Sequence, residues 1–175
     1  NPFQGIRDDL FKIAYGSYMI EVVEKLAPER EKHPELFMLL IDFLGILEGR
    51  GVNEDLLRVF EVRLLDDLGL RPHVSDCVIC HTPFISGTKV RFSPEKGGAL
   101  CNRCLKGVSI TIPVSIGTLK TLEMAIKIEP LKIPRLVFSR EVRDESRETL
   151  RGFIRFHTGR ELKSLEFLEK IKDVK

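Results

Sequence analysis

The stretch that decides the fold reads Cys77-Val78-Ile79-Cys80, followed after twenty residues by Cys101-Asn102-Arg103-Cys104. Two residues between cysteines let one tight knuckle direct two thiolates at a single point, and two matched knuckles close a tetrahedron around a d¹⁰ ion. Residues 89–92 and 99–100 read as short strands, and Ser93-Pro94-Glu95-Lys96-Gly97-Gly98 reads as the turn between them, so a hairpin brings the knuckles together. A closed set of four thiolates leaves no position for water or substrate, which predicts a structural zinc ion rather than a Lewis-acid catalyst. The competing readings are two disulfides, disfavoured by the lack of a secretory signal, and a redox dithiol, which needs no second matched pair. His81 directly follows the first knuckle, and with four thiolates present it is expected to make no metal contact.

Outward from the cysteines the period changes. Ile6, Leu10, Ile13, Ala14, Met19, Ile20, Val23 and Leu26 recur at helical spacing with Pro28 beyond them, predicting a first helix over residues 6–26. Leu36, Phe37, Leu39, Leu40, Phe43, Leu44 and Leu47 follow Pro34 and stop at Gly49-Arg50-Gly51, the boundaries expected of a second helix. Asn53 is a candidate N-cap, with Glu54 and Asp55 in the first turn of a third helix that ends at Gly69. Beyond the cysteines, Leu119, Leu122, Ala125 and Ile126 mark another helix, followed by helices over 142–157 and 165–171. Ser139 and Ser164 are the candidate N-caps of the last two, and Gly159 is a candidate stop. The expected fold is mainly α, a helical bundle with an inserted four-cysteine zinc ribbon-like β-hairpin module. Residues 1–72 form the first part of the bundle, 73–107 the insert and 108–175 the second part, in one compact helical domain.

With 175 residues, 43% of them apolar, the chain can bury one core plus a small satellite. Its most apolar run, 36–47, is interrupted by Asp42 and Gly45 and falls short of the ~18 residues of a membrane span, so a soluble protein is expected. The chain starts at Asn1 rather than Met, as a processed product or a fragment would. The net charge of +2 conceals an asymmetry. Residues 1–72 hold 9 basic against 14 acidic side chains, 73–133 hold 8 against 4, and 134–175 hold 11 against 8. An anionic partner would be met by the second half.

The candidate contact surface is the helix over 142–157. At ~100° per residue, Arg140, Arg143, Arg147, Arg151 and Arg155 share one face, while Val142, Leu150, Phe153 and Phe156 lie opposite. Such a guanidinium stripe, extended by Arg160 and Lys163, could follow a nucleic-acid backbone. Glu141, Asp144, Glu145 and Glu148 interleave with it, so a solvated face laced with ion pairs is the competing reading. The four histidines show no paired spacing, and no phosphate loop, nucleophile elbow or HExxH is present, so no catalytic apparatus is expected. Phe11, Tyr15 and Tyr18 are expected in the core rather than stacked on bases.

Several short segments, taken in order, resemble one family. They are Ala14-Tyr15-Gly16-Ser17-Tyr18 with Glu21, Glu35-Leu36-Phe37, Phe60-Glu61-Val62-Arg63-Leu64-Leu65 through Gly69 and Pro72, and the cysteine knuckles with Phe92, Gly97-Gly98 and Cys101 between them. The last is Arg160-Glu161-Leu162-Lys163-Ser164-Leu165-Glu166-Phe167-Leu168. Together they resemble the C-terminal portion of the bacterial recombination-mediator family RecO. That resemblance implies a non-enzymatic, cytoplasmic, nucleoid-associated DNA repair protein. Such a protein binds and anneals single-stranded DNA and works with RecR so that RecA replaces single-strand-binding protein. It further implies a pocket for the acidic, phenylalanine-ended tail of single-strand-binding protein, for which the matching segment offers Arg58, Phe60 and Arg63. Family members begin with an OB-fold barrel that nothing here resembles, so DNA binding by these residues alone is not implied. The alternative from another class is a zinc-ribbon protein-interaction module of a transcription or translation factor.

Overall fold

In the computed structural model, which describes residues 3–28 and 32–172, the chain wraps its other helices around one that is buried on nearly every side. That helix is α4 (Glu54–Asp67), and ten of its 14 residues are buried. Around it lie α1 (Gln4–Arg7), α2 (Leu10–Leu26), α3 (Pro34–Arg50), α5 (Ile116–Lys127), α6 (Arg140–Thr158) and α7 (Lys163–Lys172). Three short strands, β1 (Val90–Ser93), β2 (Gly98–Cys101) and β3 (Ile112–Val114), complete the architecture, with 3-10 turns at Asn102–Cys104 and Pro130–Arg135. The fold is mainly α with a small antiparallel sheet that carries the cysteines. The ends of the outer sequence blocks, residues 1–2 and 173–175, lie outside the described residues.

Local chemistry sets most boundaries. Asn53 Oδ1 accepts from the Asp55 amide at 2.8 Å and starts α4, and Ser139 Oγ accepts from the Val142 amide at 3.2 Å and starts α6. Gly159 ends α6 in the left-handed region at φ 69°, where a side chain would be strained. The single first helix expected over 6–26 is instead two. Asp9 breaks it, since its Oδ1 accepts from the amides of Phe11 and Lys12 at 2.8 and 3.1 Å and begins α2 afresh.

The sheet has the order β2-β1-β3, so the expected hairpin gains a third strand. Val90 pairs with Val114 and Phe92 with Ile112. Pro113 cannot donate to a ladder, which is tolerable on an edge strand. The sheet thus extends past residue 107 and is shared by the blocks 73–107 and 108–175. It is also joined to the helical core. The Phe92 ring meets Phe153 of α6 edge-on at 5.4 Å, and Ile112 presses so close to α6 that a Cβ on Gly152 would lie 2.5 Å from its Cδ1.

Ser164 is not the N-cap of the last helix; it lies inside the first turn of α7. The cap comes from α2, because Glu21 accepts from the amides of Lys163 at 3.2 Å and Ser164 at 2.7 Å and from the Ser164 hydroxyl at 2.5 Å. Partial burial raises the Glu21 pKa, but the hydrogen bonds from Ser164 and Lys163 outweigh it and leave the carboxyl below its ordinary 4.5. A carboxylate depressed in this way contributes stability that is complete above its unfolded pKa and lost as the pH falls through its folded one. Glu21→Gln should lower stability by about 1 kcal/mol at neutral pH. The deficit should shrink as the pH falls below 4.5, which urea unfolding at neutral and acidic pH measures; an equal deficit at both would refute the tertiary cap.

Candidate metal centre and basic helix face

The first knuckle is closed by backbone bonds, with the Cys77 amide donating to Thr82 O at 3.1 Å and the His81 amide to Cys77 O at 2.8 Å. The Val78 amide donates to Ala99 O at 2.9 Å, which places this knuckle against β2 and the second one. The ligand atoms of Cys77, Cys80, Cys101 and Cys104 all lie within 4.8 Å of one another, and Cys80 Sγ is 3.7 Å from Cys101 Sγ. Sulfurs about 2.3 Å from a central zinc form a tetrahedron with edges of about 3.8 Å. A disulfide would need about 2.05 Å, and all four cysteines are free. The donor set fits a metal ion such as zinc.

The electrostatics agree. Hydrogen bonds from Thr82, then from Cys77, bring the Cys80 thiol down to about 6. Cys104 is pushed up to about 12, first by its hydrogen-bonded neighbour Cys80 and next by desolvation. Thiolates so close repel, so all four can be deprotonated together only around a cation. Buried Leu100, with Val78, Phe84, Leu105 and Val108 against it, forms an apolar shell around the sulfurs. His81 turns its ring away toward Asp76, with Nδ1 3.3 Å from Oδ1. His73 approaches the same oxygen at 2.8 Å through Nε2. Sequence reasoning passed over His73 and Asp76, although their three-residue spacing beside a knuckle was visible.

The arginine stripe divides in two. Arg143 faces inward, where its Nε and a terminal nitrogen grip Asp55 at 2.6 and 3.0 Å and the same nitrogen donates to Phe138 O at 3.2 Å. Arg151 joins Glu161 at 3.3 Å and Glu169 at 2.6 Å, tying α6 to α7. Arg147 lies near Asp144 at 3.5 Å and Glu148 at 3.7 Å. Arg140, with 95% of its side chain exposed, reaches Asp144 only at 3.9 Å. Arg155 remains largely exposed despite a 3.2 Å contact to Glu161, and exposed Arg160 and Lys163 form no ion pair among the described residues. Arg143 and Arg151 are therefore architectural, and the outward cations are Arg140 and the cluster Arg155, Arg160 and Lys163.

Arg58, Phe60 and Arg63 do not converge on an opening. Phe60 is fully buried and packs edge-on against Phe43 at 5.2 Å. Arg58 is buried and donates to Glu61 at 2.7 Å, while Arg63 donates to Ile128 O at 3.3 Å on another side of α4. Of the three, Arg58 lines an opening, a cleft of about 310 Å³ shared with Arg147 and Lys172, whereas Phe60 is core. An open groove of about 350 Å³ lies between β3 and α6, with Pro94, Ile110, Ile112 and Phe156 in its walls and both Arg151 and Arg155 and the carboxylates of Glu148 and Glu161 along its lining.

Residues 7–166 match the family described as recombination protein O C terminal. The chain belongs to the RecO family. It is 36% identical over 98% of its length to the DNA repair protein RecO of Syntrophus aciditrophicus, covering 67% of that protein. It is 36% identical to the RecO of Anaeromyxobacter dehalogenans, covering 66%, and 33% identical to that of Symbiobacterium thermophilum, covering 69%. The chain thus spans about two thirds of the length of these RecO relatives. This membership displaces the reading as a zinc-ribbon module of a transcription or translation factor. No described helix is long and apolar enough to cross a membrane.

Within this RecO-family chain, Val90 and Phe92 are anchored in the helical core, whereas the knuckles have only Leu100 and its small shell. Chelation should therefore increase amide hydrogen exchange over residues 77–82 and 101–104 while α2, α4 and α6 stay protected. Unchanged exchange at the knuckles after the metal is stripped would refute a metal-held module.

Proposed function

We propose that the chain is the helical and zinc-binding part of a RecO-type recombination mediator, a non-enzymatic protein of the bacterial cytoplasm and nucleoid. It binds single-stranded DNA and the tail of single-strand-binding protein and acts with RecR in loading RecA. The family match over nearly the whole chain carries this reading. The zinc ion is structural, since four thiolates fill its coordination and leave no position for substrate.

The DNA contact of this part is the corner where α6 meets α7. Arg155, Arg160 and Lys163 present three outward cations there, with no carboxylate on Arg160 or Lys163 among the described residues. Neutralising single-strand phosphates makes binding salt-dependent by about 0.7 log-log units per contact. Reversing all three charges should weaken binding of a single-stranded oligonucleotide and flatten the salt slope by about 2, with thermal stability unchanged. Arg143→Ala should behave oppositely, lowering stability by roughly 3 kcal/mol because Asp55 is left buried without its cation. An unchanged salt slope in the triple variant would remove the corner from the interface.

The tail site is the groove between β3 and α6. Exposed Ile110 and Phe156 offer apolar surface to a terminal aromatic side chain, and Arg155 at the edge would meet its carboxylate by exchanging its contact to Glu161 for it. A peptide of that tail should bind about tenfold more weakly to Ile110→Glu and to Arg155→Glu, and equally well to Arg63→Glu. Loss of binding in Arg63→Glu alone would return the site to α4.

A further inference from the structure

We propose that His73, Asp76 and His81 form a second metal site, open to solvent and specific for borderline divalent cations such as Zn²⁺, Co²⁺ or Ni²⁺. Two imidazole nitrogens converge on one carboxylate oxygen, His73 Nε2 at 2.8 Å and His81 Nδ1 at 3.3 Å from Asp76 Oδ1, and all three ligand atoms lie within 4.8 Å of one another. Ligand atoms about 2.1 Å from a shared ion at octahedral to tetrahedral angles are separated by about 3.0 to 3.4 Å. The Asp76–His81 pair at 3.3 Å falls within that range, the Asp76–His73 pair at 2.8 Å lies just below it, and the two imidazole nitrogens lie within 4.8 Å of each other. Two imidazoles and one carboxylate favour first-row metals over Mg²⁺ or Ca²⁺, which take all-oxygen sets.

Each donor is held by backbone rather than left on a flexible loop. His73 is paired to the sheet, its amide donating to Gly97 O at 2.9 Å and its carbonyl accepting from Ala99 at 2.8 Å. This approach requires the glycine between them, because a Cβ on Gly98 would lie 2.7 Å from both His73 Cβ and His73 O. Asp76 is fixed by a bridge to Pro83, and the Ser75 hydroxyl donates to its second oxygen at 3.4 Å, a supporting bond outside the ligand set. His81 sits at φ 54°, a left-handed conformation uncommon for a residue with a side chain, and this turns its ring toward Asp76 instead of the sulfurs. The thiolate centre is closed and lies partly inside an apolar shell. In the imidazole-carboxylate set His81 is exposed and His73 and Asp76 are half-buried, so an ion there would be reached from solvent on the His81 side.

The test begins with the whole chain carrying one zinc in its thiolate site and titrates it with Co²⁺. One further equivalent is expected, with the weak visible bands of nitrogen and oxygen ligation and no sulfur-to-cobalt charge-transfer absorption. His81→Asn, which keeps a residue tolerant of positive φ, and Asp76→Asn should each weaken that second equivalent at least about tenfold while retaining the thiolate-bound zinc. Absence of a second equivalent in the parent chain overturns the proposal. So does a second equivalent that persists undiminished in both variants.

Discussion

The structure depends on the burial of charged groups along α4. A helix surrounded on all sides would ordinarily be apolar all round, yet α4 carries Asp55, Arg58 and Glu61, each no more than 5% exposed. Burial pushes the Glu61 carboxyl up, and it is met by Arg58 and by the Tyr18 hydroxyl of α2, whose own pKa burial raises further. Asp55 is met by the fork of Arg143 and by the Phe138 amide. The Tyr18 bond to Glu61 ties α2 to α4 and the Arg143 fork on Asp55 ties α6 to it, so these polar groups help fix where those two helices sit. Removing one partner would leave a charge with no water to solvate it, which is more costly than the pair itself is stabilising.

That constraint also explains the arginine helix. A stripe of guanidinium groups suggests a surface for polyanions, but Arg143 is claimed by Asp55 and Arg151 by two carboxylates of the chain's last turn and helix. Of the cations left facing outward, Arg140 stands alone at the start of α6, and Arg155, Arg160 and Lys163 lie toward its other end, where α6 stops at Gly159 and α7 begins. The groove beside β3 adjoins the same end of α6. A basic corner and a groove are therefore neighbours as a consequence of how the inner half of the stripe is used.

Features encoded within a few residues were legible in the sequence. The cysteine knuckles, the caps at Asn53 and Ser139 and the stop at Gly159 each depend on neighbours no more than a turn away. What was not legible depends on distant partners. The cap on α7 comes from Glu21, 143 positions earlier, and Ser164 looked like a cap because its hydroxyl does bond, though to that carboxylate. Asp55 and Arg143 are 88 positions apart. Only the family resemblance offers Phe60 to a pocket; on its own the residue reads as core, and it is fully buried. β3 was missed because three residues centred on a proline carry little strand signal, and its pairing is decided by β1 and by the space that Gly152 leaves.

The sheet shows how the cysteine module is divided between two sources of stability. Its inner face is continuous with the helical core through Val90, Phe92, Ala99 and Val114, whereas its outer end has a shell too small to order two knuckles unaided. A metal ion held by the four cysteines would supply there what apolar area supplies on the inner side. The boundary between them falls within β2, where Ala99 belongs to the large core and Leu100 and Cys101 to the small one. Ala99 and Cys101 share one face at the two-residue strand period while Leu100 lies on the other, so the division runs along the strand rather than across it. The knuckles are joined to the core through the backbone of β2, through the Val78 amide on Ala99 O and through Phe84, which packs against both clusters.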